Sequence, residues 1–218
     1  MGLPVIESYD MPDGTALPRS WPSWTIVPGR AALLVHDMQN HFVQAFPPGR
    51  SPVVQLVENI AALRELAGTL GIPVVFSAEP AAQSPGRRGL VADVWGPGVG
   101  DGPGDSSIIE ALTPRPGEHV LPNVRPNAFL HSHLGRLLRS TGRDQLIVCG
   151  VHAHLGVLLT AADAFMNDIQ PFVVADAVAD FTADEHAMAL RWAARSAVLR
   201  TTDGLLRDLL LGRVHHDA

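Results

Sequence analysis

Lysine is absent: all 16 basic residues of the 218 are arginine. This excludes a Schiff-base lysine, the lysine of a phosphate-binding P-loop and a lysine in any catalytic triad. Cysteine is nearly absent. With Cys149 alone, neither an intrachain disulfide nor a thiolate zinc cluster is available, and a reducing cytoplasm is the expected compartment. No run of about 18 apolar residues exists, so no membrane-spanning helix is expected. The opening MGLPVIESYDMPDG lacks the basic and apolar regions of a signal peptide. Positive charge is also short. The 22 acidic residues outnumber the 16 basic ones, for a net charge of −6, which argues against a nucleic-acid surface. HExxH and GxSxG are missing. The glycine-rich GVGDGPG at 98–104 does not sit between a strand and a helix, so it reads as a loop and not as a phosphate cradle.

What is present is apolar. Hydrophobic residues make up 46% of the chain, which suits one folded domain with a large core and excludes general disorder. Residues 1–30 are rich in Pro and Trp without periodicity, and are expected to form an arm lying on the domain. The domain itself spans 31–211, and 212–218 is expected to be a frayed tail. Within the domain, AALLVH at 31–36 is a continuous apolar run, the mark of a strand covered on both faces. Apolar residues at helical spacing over 52–70 predict a helix. Strands are predicted at 72–77, 118–121, 145–149, 171–175 and 197–201. Helices are predicted at 106–112, 129–140, 153–166, 182–196 and 203–211. Residues 78–105 read as a long loop with an apolar patch at 90–95. Six strands alternating with helices predict a single three-layer α/β/α domain with a parallel sheet.

In open parallel sheets, sites lie at the carboxyl ends of the strands. Those ends carry Asp37 and Gln39, Glu79, Asn123 and Arg125, Val151 and His152, and Asp176 and Asp180. Asp37 is the foremost candidate. A carboxylate directly after a buried strand is partly desolvated and suits general acid–base work, and the same position also suits an aspartate that orders the next turn. Arg88 and Trp95, in the long loop, either cover an anionic, ring-shaped ligand or sit at the surface. The pairs His131/His133, His152/His154 and His215/His216 lack a third converging ligand, so packing roles are favoured and no metal is expected. Cys149 ends an apolar strand and reads as a small hydrophobe.

Three stretches resemble the isochorismatase family, and in particular its phenazine-pathway branch. They are ESYDMPDGTALP with WTIVPGRAALLVHDMQNHF, then RGLVADVWGPG, then GRDQLIVCGVHAHLGVLLTAADAFMNDIQPFVVADAVADF. The resemblance spans roughly residues 5–203. It implies a Rossmann-like, six-stranded parallel sheet in the order 3-2-1-4-5-6. It also implies hydrolysis of an enolpyruvyl vinyl ether on an isochorismate-type or 2-amino-2-deoxyisochorismate-type substrate, in secondary-metabolite biosynthesis. Asp37 matches the family's carbon-protonating acid. Gly156 falls where the wider cysteine-hydrolase superfamily carries its nucleophile. Arg88, Trp95, Gln39, Phe42, Val151 and Arg125 are then expected to bind or wall in the substrate. Three positions depart from the pattern: Asn123 replaces the family lysine, Glu79 replaces a glutamine and His152 replaces a tyrosine. His152 is expected to donate to a carboxylate and to add positive charge. The departures leave two alternatives, a re-specialised enzyme on a related cyclic acid with Glu79 or His152 as base, or a catalytically silent binding subunit. No cofactor is implied. A homodimer or higher homo-oligomer is expected, without nucleic-acid or membrane partners.

Overall fold

The computed structural model describes residues 3–214. Six strands form one sheet: β1 (Ala31–His36), β2 (Val74–Ala78), β3 (His119–Pro122), β4 (Gln145–Val151), β5 (Gln170–Ala179) and β6 (Val198–Arg200). Every pairing is parallel, in the order β3-β2-β1-β4-β5-β6, as the resemblance implies. The order reverses between β1 and β4, and a crevice opens at such a switch point. Helices cover both faces. α2 (Val53–Thr69) and α8 (Thr202–Val214) pack one side through Leu56, Ile60, Leu63, Leu205 and Leu209. α5 (Leu134–Ser140), α6 (Leu158–Met166) and α7 (Ala183–Ala193) pack the other through Leu134, Leu138, Ala161 and Leu190. Every residue of β1 and β4 is buried, which explains why these strands read as unbroken apolar runs.

Several expected boundaries need correction. Residues 78–105 are not all loop: they contain α3 (Pro85–Arg88) and α4 (Leu90–Trp95), separated by Gly89 at φ +57°. A further short helix, α1 (Asn40–Val43), follows β1. The segment expected as a helix at 106–112 does not form one continuous helix. Ile108 bridges Gln39, and the Ile109 N–H donates to the Met38 carbonyl at 3.0 Å, leaving only a tight turn at Glu110–Leu112. Of the helix expected at 129–140, only the second half forms. Asn127 Oδ1 accepts from the Phe129 N–H at 2.9 Å and Ser132 Oγ from the Leu134 N–H at 3.1 Å, so local side-chain bonds replace helical ones. α6 is preceded by a wider helical turn over Ala153–Val157. The expected tail is also shorter: residues 212–214 continue α8, and 215–218, with His215 and His216, lie outside the described residues.

β5 runs four residues beyond its expected end. The break was expected at Asp176, a charged residue inside an apolar strand. Its Oδ1 accepts from both the N–H and the hydroxyl of Thr202 at 2.7 Å, so the start of α8 satisfies the charge and the strand continues. The extension brings buried Asp180 and the cavity-lining Phe181 to the carboxyl end of β5. The N-terminal segment reaches the same place. Ile6 and Ile26 are buried, and the Tyr9 hydroxyl accepts from the Asp180 N–H at 2.8 Å. His186 Nε2 faces the Ala175 carbonyl at 3.0 Å, which can only accept. The imidazole is therefore protonated there, and its bare Nδ1 accepts from Tyr9 at 3.2 Å. Tyr9→Phe leaves the Asp180 N–H and His186 Nδ1 without this partner. It should lower the unfolding free energy by about 1–3 kcal/mol, read from the shift of a urea denaturation midpoint.

Candidate active site

A cavity of about 230 Å³ opens at the carboxyl ends of β1, β2, β3 and β4, under α4. Asp37 follows β1 directly and adopts φ +49°. This left-handed conformation is uncommon for aspartate and turns the chain sharply at the cavity floor. The carboxylate is held by neutral donors. Ser77 Oγ donates to Oδ1 at 3.0 Å, and Asn123 Nδ2 lies 3.0 and 2.8 Å from Oδ1 and Oδ2. Asn123 is itself buried, and its backbone N–H is tied to the Ala78 carbonyl at 2.8 Å. Its Oδ1 has no partner.

His36 lies beneath. Its Nδ1 is 3.2 Å from Asp37 Oδ2, but neither ring nitrogen has hydrogen-bond geometry to a partner. The imidazole fills the space beside Gly156. A Cβ at that position would lie 2.3 Å from His36 Cε1. Gly156 is thus a steric requirement of the histidine, and no nucleophilic side chain fits there without moving it. Cys149 does not substitute. It is fully buried inside β4, its thiol facing the Leu34 carbonyl at 3.3 Å, and burial pushes its pKa up.

On the opposite wall, Glu79 and Arg88 form a buried ion pair. Glu79 Oε1 accepts from Arg88 Nη1 and, at 3.1 Å, from the Val99 N–H. Arg88 Nε donates to the Gly96 carbonyl at 3.0 Å. Gly98, at φ +76°, roofs the pair so closely that a Cβ would lie 2.0 Å from Glu79 Oε1. Burial pushes the Glu79 carboxyl up, while the Arg88 guanidinium pulls it down. Gln39 was expected to touch substrate, and the structure corrects this. Its amide donates to the Glu79 and Ser106 carbonyls at 2.9 and 2.7 Å and accepts from the Glu79 N–H at 2.7 Å. It is fully buried and does not line the cavity, so it positions Glu79.

Arg125 stands at the half-buried rim. Its Nη1 donates to the Arg87 and Val124 carbonyls at 2.5 and 2.8 Å. Among the described residues it forms no ion pair, so it is the cavity's uncompensated cation. His152 is a second correction. It is 6% exposed and packs against Phe181, Phe42 and Phe46, with ring centroids at 4.3, 5.9 and 6.2 Å. Burial lowers its pKa to about 4. The ring is therefore neutral near pH 7 and adds no positive charge, and its Nε2 has no partner.

Asp37, Phe42, Glu79, Arg88, Trp95, Asn123, Arg125, Val151, His152 and Gly156 all line the cavity. Missing from the expectation were Phe181, His41, Leu155 and Leu3. Phe181 follows the underestimated end of β5, and no periodicity marks Leu3. His131 and His133 are exposed on turns, away from the cavity. The donor atoms of His154, Asp180 and Glu185 lie within 4.8 Å of one another. However, Asp180 already holds His154 Nδ1 and the N–H groups of His154 and Phe181, at 2.7 to 3.0 Å. This reads as a structural clamp joining β5 to the turn after β4.

The family model of the isochorismatase domain matches residues 31–204. The chain is 48% identical to the isochorismatase of Bacillus subtilis, over 96% of this chain and 67% of that protein. The chain belongs to the isochorismatase family. The phenazine biosynthesis protein PhzD of Pseudomonas fluorescens is 46% identical over 93% of this chain and 97% of its own length. A cysteine hydrolase from Pseudomonas syringae superposes with a TM-score of 0.77, covering 90% of this chain and 99% of that one, at 21% identity. That last likeness is one of fold.

The buried imidazole of His152 generates a stability prediction. Its pKa is 6.5 when unfolded and about 4 when folded, so the unfolded chain binds the extra proton between these values. The stabilisation is present above pH 6.5 and is lost as pH falls toward 4. It amounts to about 3 kcal/mol at most. In urea denaturation from pH 7 to 4.5, His152→Phe should lose less stability than the parent.

Proposed function

We propose that the protein hydrolyses the enolpyruvyl vinyl ether of an isochorismate-type or 2-amino-2-deoxyisochorismate-type substrate. The products are pyruvate and a dihydro-diol or the corresponding amino alcohol, made in secondary-metabolite biosynthesis. The observation that carries this is the setting of Asp37: a carboxyl group oriented by an amide and a hydroxyl, at the floor of a mostly apolar cavity, with no nucleophile beside it. Such a group is placed to transfer a proton to a bound substrate. The relatives named isochorismatase and phenazine biosynthesis protein support the same reading.

The steps follow from these parts. Protonated Asp37 gives its proton to the terminal CH2 carbon, and the ether carbon becomes an oxocarbenium ion. Water adds to that carbon and returns a proton to Asp37. The hemiketal then collapses: its C–O bond to the ring breaks, the ring oxygen leaves as an alcohol, and the ketone of pyruvate forms. Overall, one water is consumed. Ser77 and Asn123 hold the Asp37 carboxyl in place, and Arg125 binds a substrate carboxylate in the absence of lysine. Phe42, Trp95 and Val151 exclude bulk water, and neutral His152 hydrogen-bonds substrate. The close approach of substrate to the backbone at Gly156 completes the site. Residues 1–30 serve as an arm over the catalytic domain, and the enzyme works in the cytoplasm as a homodimer or higher homo-oligomer. Exposed Leu159, Phe165 and Met166 on α6 support self-association.

Pyruvate release coupled to lactate dehydrogenase tests the reading. Asp37→Asn preserves size and keeps one accepting oxygen for Ser77 and Asn123, but it carries no acidic proton. It should reduce turnover about 10²–10⁴-fold in a protein that circular dichroism shows to be folded. Pyruvate release that survives this substitution would remove Asp37 from the chemistry.

A further inference from the structure

We infer that Glu79 makes this cavity selective for the charge of its substrate, favouring a ring that carries an ammonium group over one that carries a hydroxyl. The inference rests on the vinyl-ether hydrolase reading and narrows it. It starts from the distribution of charge around the cavity. Two side chains on the wall are cationic, Arg88 and Arg125. Arg88 is not free to meet a substrate carboxylate: it is buried, bonded to Glu79 and to the Gly96 carbonyl, and roofed by Gly98. Arg125 is held by two carbonyls and, among the described residues, forms no ion pair. His152 packs against three aromatic rings and lines the cavity as a neutral group, and Asn123 is neutral.

The cavity therefore offers one uncompensated cation. An enolpyruvyl diacid bearing a ring hydroxyl brings two negative charges. The same skeleton with a ring ammonium brings a net charge of one. Like charges facing each other across a partly desolvated wall are costly, which is how a site rejects a near-isostere.

The second observation concerns the free half of Glu79. Both bonds to its carboxylate, from Arg88 and from Val99, fall on Oε1. Among the described residues, Oε2 has no hydrogen-bond partner, and Glu79 lines the cavity. A carboxylate oxygen accepts and cannot donate. It fits a substrate ammonium, and it repels a substrate carboxylate that a glutamine amide at the same place would satisfy. The side chain cannot swing away to relieve the repulsion. Gln39 pins its backbone from both sides, and Gly98 closes over the pair.

The experiment measures kcat/KM for pyruvate release from isochorismate and from 2-amino-2-deoxyisochorismate, in the parent protein and in Glu79→Gln. The parent should favour the amino substrate at least tenfold. Glu79→Gln removes the repelling oxygen and frees Arg88. It should cut that preference at least tenfold, chiefly through a lower KM for isochorismate. The parent ratio stands on its own if the variant fails to fold. Turnover of both substrates with equal or reversed preference would overturn the inference and leave the hydrolase reading intact. So would a preference that persists unchanged in a folded Glu79→Gln protein. Release of pyruvate from neither substrate would instead overturn the hydrolase reading, and the inference with it.

Discussion

The contact between the Asn123 amide and the Asp37 carboxylate holds the catalytic end of the fold together. It joins the end of β1 to the segment after β3, two strands that do not touch each other in the sheet. Ser77, on the intervening β2, makes the third side of the same contact. Three strand ends thus meet on one carboxyl group. All three donors or acceptors are uncharged apart from Asp37 itself. A lysine in place of Asn123 would favour the ionised carboxylate. An amide instead orients the group without placing a positive charge beside it.

The surroundings of this contact are poorly satisfied. Both nitrogens of His36, Asn123 Oδ1 and His152 Nε2 are buried without partners, and all lie at or just beneath the cavity. Each such atom costs about 1–3 kcal/mol in a folded protein. Away from the cavity the strand interiors are apolar, and polar side chains buried among them are paired. Arg64 is bound to Glu118 at 2.6 and 2.7 Å, and Gln145 to Thr25, Val27 and Gln170. The stability of the sheet carries the unfavourable polar groups of the site. Gly156 shows the same economy in steric form, giving up a side chain so that His36 can lie under Asp37.

Much of this was legible in the sequence where one physical signal dominated. β1 and β4 are buried on both faces, so hydrophobicity alone marked them. Strand ends in a parallel sheet mark sites, so Asp37, Glu79, Asn123 and His152 were found together. The misread segments are those where side chains override local pattern. Asp176 resembles a strand terminator until Thr202 is brought to it from 26 residues away. Asn127 and Ser132 cap what looked like a helix. Gln39 follows the key aspartate in sequence but points to the Glu79 backbone, a contact fixed by the approach of two strands. His152 looked like a source of positive charge, and three phenylalanine rings from different elements keep it neutral. Phe181 escaped notice because the length of β5 depended on that same long-range Thr202 contact.

The central claim is that Asp37 protonates carbon and that water then attacks the ether carbon, leaving the ring oxygen in place. Hydrolysis in ¹⁸O-enriched water, with the ring product analysed by mass spectrometry, tests it most directly. The predicted result is a diol or amino alcohol without label, because the new oxygen enters pyruvate. Label in the ring product would mean that water displaces the enolpyruvyl group at the ring. That would contradict the role assigned to Asp37 and to the contacts that hold it.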